Sequence, residues 1–153
     1  MIAIACHAEP TTSTPAPARV DTPAPRSATP SSAASDSTAV SDASIEAMNA
    51  DAITCVLADR RVAQYLHAEL PGRVPVKLHL ASTIAVAKTP EAAGAPVELV
   101  DASAALVDVQ SIARAGTSAT VELTILREGV RAKVECHRDG EAWTVGKAEV
   151  AEH

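Results

Sequence analysis

The sequence predicts an α+β domain in which an N-terminal helix precedes an antiparallel sheet. Three observations favour this fold class. Apolar residues recur at helical spacing up to about residue 67. The period changes to two after Gly72. Three turns that contain glycine then divide residues 107–150 into alternating segments, which is typical of consecutive hairpins.

The helix is predicted to begin near Ser41 or Ser44, either of which can cap it, with acidic residues in the first turn. The segment is either one helix or two pieces split at 57–61, the second covering 62–67 and ending before Pro71-Gly72. We expect its apolar stripe to pack on a sheet, although a groove for a partner would show the same pattern. The stripe consists of Ile45, Met48, Ala52, Cys55, Val56 and Leu57.

A first strand is predicted at 74–80, where four apolar residues alternate with Pro75, Lys77 and His79. Residues 81–96 are rich in alanine and interrupted by Pro90 and Pro96, so we expect a mobile connection, with a short strand at 84–87 as an option. Residues 97–100 are either a short strand or a loop.

The C-terminal half is predicted to form a four-stranded meander with turns at 115–116, 128–129 and 139–140. The complete sheet is therefore expected to be mostly a meander of four to five strands. One side of each strand carries the residues expected to face the helix, and we expect Trp143 to be buried among them. These residues are Val107, Val109, Ser111, Ala113, Val121, Leu123, Ile125, Val130, Ala132, Val134, Cys136, Trp143, Val145, Ala148 and Val150.

The closing segments carry a weak family resemblance. Residues 116–123 (GTSATVEL), the turn at Gly129 and residues 138–145 (RDGEAWTV) resemble the last strands of cystatin-like domains of the nuclear-transport-factor-two-like type. The resemblance covers about a third of the chain and implies a cystatin-like α+β fold. Because that fold hosts both enzymes and binding modules, it implies no particular activity. The hairpin that makes cystatins protease inhibitors is not matched, since the segment from Gln110 lacks its glycine.

The N-terminal 42 residues are predicted to form no part of this domain, which should span 43–153. Residues 7–42 are almost entirely Ala, Pro, Ser, Thr and Asp, with six of the ten prolines, and cannot bury enough surface to offset the entropy of ordering. We therefore expect a disordered, semi-rigid linker.

The stub before it, ending in Ile4-Ala5-Cys6, resembles the lipobox of bacterial lipoproteins. That resemblance implies a lipid on Cys6, a membrane as partner and a periplasm-facing position in the bacterial envelope. Only five residues precede Cys6, fewer than a secretion signal needs, so an upstream start is the expectation and an ordinary N-terminus the alternative.

The charge of the chain excludes one class of partner. The formal net charge is −6, so nucleic acid and anionic lipid surfaces would be repelled.

The sequence predicts no cofactor or metal site. The histidines His67, His79 and His137 fall on three different elements without paired ligand spacing. No arrangement of nucleophile, base and acid is recognisable either, so no catalytic residue is predicted.

Cysteine usage gives the sharpest expectation about individual residues. With Cys6 modified by lipid, Cys55 and Cys136 remain, and both lie on the apolar side of their predicted elements. If the sheet covers the helix these sides meet, and in an oxidising compartment a disulfide would form. The alternative is two buried thiols that pack as small apolar groups.

Three functions from different classes fit the sequence. The leading one is a non-enzymatic envelope lipoprotein whose domain binds a partner protein or a small ligand. The second is an isomerase or dehydratase of the nuclear-transport-factor-two-like type, which would need an acid or a histidine pointing into the sheet's concavity. The third is an acidic periplasmic immunity protein, which an acidic patch around Asp101, Asp108 and Glu122 would favour.

Overall fold

The computed structural model describes residues 41–152, which form an α+β fold with one main helix and a mixed six-stranded sheet. The predicted stub with its lipid acceptor Cys6 lies outside the described residues, and so does the predicted linker except for its last two residues. Of these, Asp42 is the first residue of a helix, so the folded part begins one residue before the predicted boundary. In chain order the helices are α1 (Asp42–Ala58) and α2 (Arg60–Ala63), and a short 3₁₀ turn occupies Ala102–Ala104. The strands are β1 (Val76–Leu80), β2 (Val97–Leu99), β3 (Val107–Ala115), β4 (Ser118–Ile125), β5 (Val130–Asp139) and β6 (Ala142–Glu152). Within residues 41–152, none of the helices has the length and apolar composition needed to cross a membrane.

The helical segment breaks at Asp59, inside the predicted interval 57–61. The Asp59 backbone is extended, which ends α1, and its carboxylate accepts a hydrogen bond from the backbone N–H of Arg61, which begins α2. Asp59 therefore acts as the N-cap of the second helix. That helix ends at Ala63 and is followed by turns, so it is shorter than the predicted piece 62–67.

The residues that α1 buries overlap only in part with the predicted apolar stripe. Ala52, Ile53, Val56 and Leu57 are fully buried, whereas Ile45, Met48 and Cys55 are only half-buried. The reason lies in the composition of the helix, because alanine and larger apolar residues occur on all its sides and the sequence pattern does not select one.

The sheet has the order β2-β1-β3-β4-β5-β6, and the predicted meander is confirmed for β3 to β6. The predicted count of four to five antiparallel strands is wrong. β1 pairs in parallel with both β2 and β3, which makes the sheet mixed and adds the sixth strand. A strand at 84–87 does not form. Pro90 is buried nearby, and the segment carries only an isolated bridge between Ala92 and Ala95.

The residues that face the helix agree with the prediction on β4 and β5, where the alternate positions are buried. On β3 the agreement stops at Val109, because a bulge at Gln110 shifts the register. Ser111, predicted to face inward, lies on the outer side, where its hydroxyl donates to Glu122 Oε2 at 3.1 Å. Ile112 packs against the core in its place.

Candidate functional site

The two cysteines of the domain lie near each other where α1 covers the sheet. Cys136 of β5 is fully buried and Cys55 of α1 is half-buried. Both are free thiols in the structure. The structure contains no disulfide between them, so the disulfide remains a prediction.

The environment of this pair keeps both thiols protonated. Burial is the main cause that raises the pKa of Cys55; the neighbouring Cys136 thiol opposes this increase in part, and the negative charge of Asp59 adds to it. Burial also raises the pKa of Cys136 far above its ordinary value, together with its contact to Cys55. A thiolate is the nucleophilic and metal-binding form of cysteine. The pair is therefore unsuited to nucleophilic catalysis at neutral pH.

An open groove of about 390 Å³ runs along α1 beside these thiols. It lies between the helix, the connection 81–96 and the hairpin that joins β5 to β6. The indole of Trp143 forms one wall, and an ion pair of 2.7 Å between Lys88 Nζ and Asp51 Oδ1 lies at the rim. The lining residues are Asp51, Thr54, Cys55, Ala58, Lys88, Glu141 and Trp143.

Trp143 is the most informative residue of this groove. The prediction that Trp143 is buried is wrong. The side chain is half-buried, because it stands opposite Arg138 near the end of the β5–β6 hairpin, where the helix covers the sheet incompletely. Its Nε1 atom is nevertheless shielded from solvent and has no hydrogen-bond partner among the described residues. A buried donor without a partner costs free energy, so the packing around this indole N–H is incomplete.

The second wall of the groove is held in place by polar side chains of α1. Asn49 Nδ2 donates to the carbonyl oxygen of Ala85 at 2.8 Å, and Thr54 Oγ1 accepts a hydrogen bond of 3.0 Å from the backbone N–H of Glu91. These bonds attach both the first and the second half of the irregular connection 81–96 to α1. They bring Lys88, which the sequence analysis did not single out, to the groove.

The outer side of the sheet carries carboxylates paired with basic side chains. His79 Nδ1 lies 2.7 Å from Asp108 Oδ1 across β1 and β3, and Lys133 Nζ lies 2.7 Å from Glu122 Oε1 across β4 and β5. The lysine is the main cause that lowers the pKa of Glu122. Two of the three carboxylates considered for an acidic patch, Asp108 and Glu122, are therefore paired with basic side chains.

The three histidines considered as ligands remain apart. His67 lies near Glu69 and Glu128, His79 pairs with Asp108, and His137 Nδ1 shares a hydrogen bond of 2.7 Å with Ser118 Oγ. Among residues 41–152, no three His, Cys, Asp or Glu side chains are grouped so as to hold a metal ion.

Comparisons with models of protein families, with curated protein sequences and with solved structures found no match to this chain. The groove beside α1 is therefore assigned as the candidate site on its geometry and chemistry alone.

Proposed function

We propose that the chain is a non-enzymatic lipoprotein of the bacterial envelope, anchored through Cys6, whose domain binds a partner in the groove beside α1. The observation that carries the binding role is the open groove, which has the half-buried indole of Trp143 as one wall. An extended peptide segment would present a carbonyl acceptor to the unpaired indole N–H once the side chain turns toward the groove. The anchoring role rests on the lipobox-like stub and the long linker in the sequence.

The helix-facing side of the sheet supports a binding role over a catalytic one. Among the described residues, Asn49 is the one buried polar or charged side chain, and it is engaged by Ala85 and Arg114. An isomerase or dehydratase would need an acid or a histidine there to move a proton. The His79–Asp108 pair lies on the opposite side of the sheet, away from the groove.

We also propose that the fold is cystatin-like. A helix that precedes a four-stranded meander and packs on β4, β5 and β6 supports this assignment. An experimental structure that superimposes on cystatin-like domains over α1 and β3–β6 would agree with it, and one that does not would remove it.

The anchor is tested by following the native gene product in cell fractions. The wild-type protein should take up labelled fatty acid and sediment with membranes, whereas Cys6→Ser should take up none and appear in the soluble envelope fraction. A Cys6→Ser protein that still sediments with membranes would refute the lipid anchor.

The groove is tested by a photo-reactive amino acid placed at the exposed Ala58, which lines it, and as a matched control at Thr120 on the outer side of the sheet. In envelope preparations, position 58 should give discrete adducts that disappear with Trp143→Ala, and position 120 should give none. Trp143→Phe keeps an aromatic ring but removes the N–H, so it should reduce the adducts if the donor contributes. Equal labelling from both positions, or none from position 58, would contradict the assignment.

A further inference from the structure

Strand β6 forms one edge of the sheet and is its longest strand. It covers eleven residues and pairs with β5 on one side only. On its other side, no backbone hydrogen bond to another described residue is formed. A long unpaired edge is a template for another strand, and proteins commonly protect such edges or use them for association.

The core is incomplete at this edge. On β5 the helix-facing residues Val134 and Cys136 are fully buried. Their neighbours on β6, Ala148 and Val145, are only half-buried, as is Val150. One more strand beside β6 would remove this apolar surface from water, which is favourable at roughly 25 cal/mol per Å².

We propose that a second copy of this chain pairs with β6 through its own β6, in antiparallel orientation about a two-fold axis at Ala148. The two sheets would then continue as one sheet of twelve strands. Such a contact is isologous, so the same surface serves both copies and the assembly closes as a dimer.

The charges on β6 select this register. Lys147 and Glu149 point to the outer side of the sheet, on either side of Ala148. A two-fold axis at Lys147 would place two lysines opposite each other, and an axis at Glu149 would place two glutamates opposite each other. An axis at Ala148 places Lys147 opposite Glu149 of the second copy, twice, and opposite charges directly across a strand pair stabilise it.

The same groups already attract each other within one copy. Lys147 Nζ lies 2.6 Å from Glu149 Oε1 of its own strand. Glu149 is the main cause that raises the pKa of Lys147, and Lys147 is the main cause that lowers the pKa of Glu149, as expected for an ion pair. Both side chains are largely exposed, so this internal pair is weak and can exchange for the pair across the interface.

Other occupants fit the edge less well. The chain's own N-terminal 40 residues contain six prolines, and proline cannot donate a backbone hydrogen bond to a neighbouring strand. The opposite edge of the sheet is β2, which has only three residues and offers a much shorter pairing surface.

The proposal is tested with two charge reversals, Lys147→Glu and Glu149→Lys, in the full chain under reducing conditions, by sedimentation across a concentration series. Each variant alone places like charges opposite each other at both contacts, so its dimer should be roughly tenfold to a hundredfold weaker than that of the wild type. Mixing the two variants should restore the dimer, because a Lys147→Glu chain and a Glu149→Lys chain match each other at both contacts.

A matched pair of cysteine substitutions tests the register in the Cys6→Ser background. Ala148→Cys places two thiols on the two-fold axis and should form a dimer linked by a disulfide under mild oxidation. Ala151→Cys, three residues further on and on the outer side, should not. Unchanged circular dichroism of each variant shows that the domain is folded. A wild-type chain that stays monomeric at millimolar concentration would overturn the proposal. So would a mixture of the two charge-reversal variants that does not recover the wild-type dimer affinity.

Discussion

A disulfide between Cys55 and Cys136 should stabilise the domain strongly once it forms. The bridge would join α1 to β5 and close a loop of about 80 residues. In the loop-entropy model such a loop contributes about 4.5 kcal/mol, mostly by restricting the unfolded chain. For a domain of this size, we expect a rise in Tm of about 10–20 °C, allowing for some strain in the folded form.

The raised pKa values of the two thiols lead to a second expectation, which concerns the rate of oxidation. Only the thiolate attacks an oxidant, and burial disfavours the thiolate of both Cys55 and Cys136. Oxidation by a small disulfide reagent should therefore be slow at pH 7 and accelerate about tenfold per pH unit up to pH 9. Glutathione, with an ordinary thiol, should react faster than the protein under the same conditions.

The assay compares thermal unfolding of oxidised and reduced protein in the Cys6→Ser background, with bridge formation verified by mass. Cys136→Ala serves as the control, because it cannot form the bridge and its Tm should not respond to the oxidant. An oxidised protein with the bridge but an unchanged or lower Tm would show that the two residues are joined only at the expense of native geometry. Oxidation as fast as that of glutathione would refute the argument from burial.

Three further predictions concern single side chains, each measured by urea denaturation. Trp143→Ala should cost about 1–3 kcal/mol, less than the 3–5 kcal/mol of a fully buried aromatic residue, because Trp143 is half-buried; a loss above 4 kcal/mol would contradict its position at the edge. Asn49→Ala should cost about 1–3 kcal/mol, since it leaves the Ala85 carbonyl without its donor, and a neutral result would show that water replaces the bond. Asp59→Ala should cost about 0.5–2 kcal/mol at pH 7 through loss of the cap of α2. The hydrogen bond with Arg61 lowers the pKa of Asp59, so this stabilisation is complete above the unfolded pKa and declines as the pH falls through the folded one; a cost that stays constant from pH 7 to pH 2 would refute the role of the charge.

The part of the fold that the sequence predicts well is the part with regular alternation and glycine turns. β4 and β5 alternate without interruption, so their buried sides follow directly from the residues. The sequence pattern places Ser111 on the wrong side because one extra residue at Gln110 reverses the phase, and nothing in the local composition marks that bulge. The pattern does not predict the parallel pairing of β1 with β2, because a three-residue strand has too few positions to show a period.

The candidate site was predictable only in part, for a similar reason. The apolar phase of their elements predicts that Cys55 and Cys136 face each other, and the structure places them near each other as free thiols. The wall that contains Lys88 follows an irregular path fixed by Asn49 and Thr54, two polar residues whose partners are far away in the sequence. Polar residues beside the apolar stripe of a helix are the signal that could have indicated such an anchored segment.

The packing of α1 on β6 joins the first and last elements of the described domain, and this has a consequence for biosynthesis. A chain leaves the ribosome or an export channel from its N-terminus, so α1 emerges nearly a hundred residues before the strand that completes its contact surface. At roughly 5–20 residues per second, its contact surface stays incomplete for about 5–20 s, although β4 and β5 emerge earlier than β6. During that interval part of the apolar side of α1 is accessible to chaperones. The order of the elements thus postpones the last packing step of α1 until β6 has emerged.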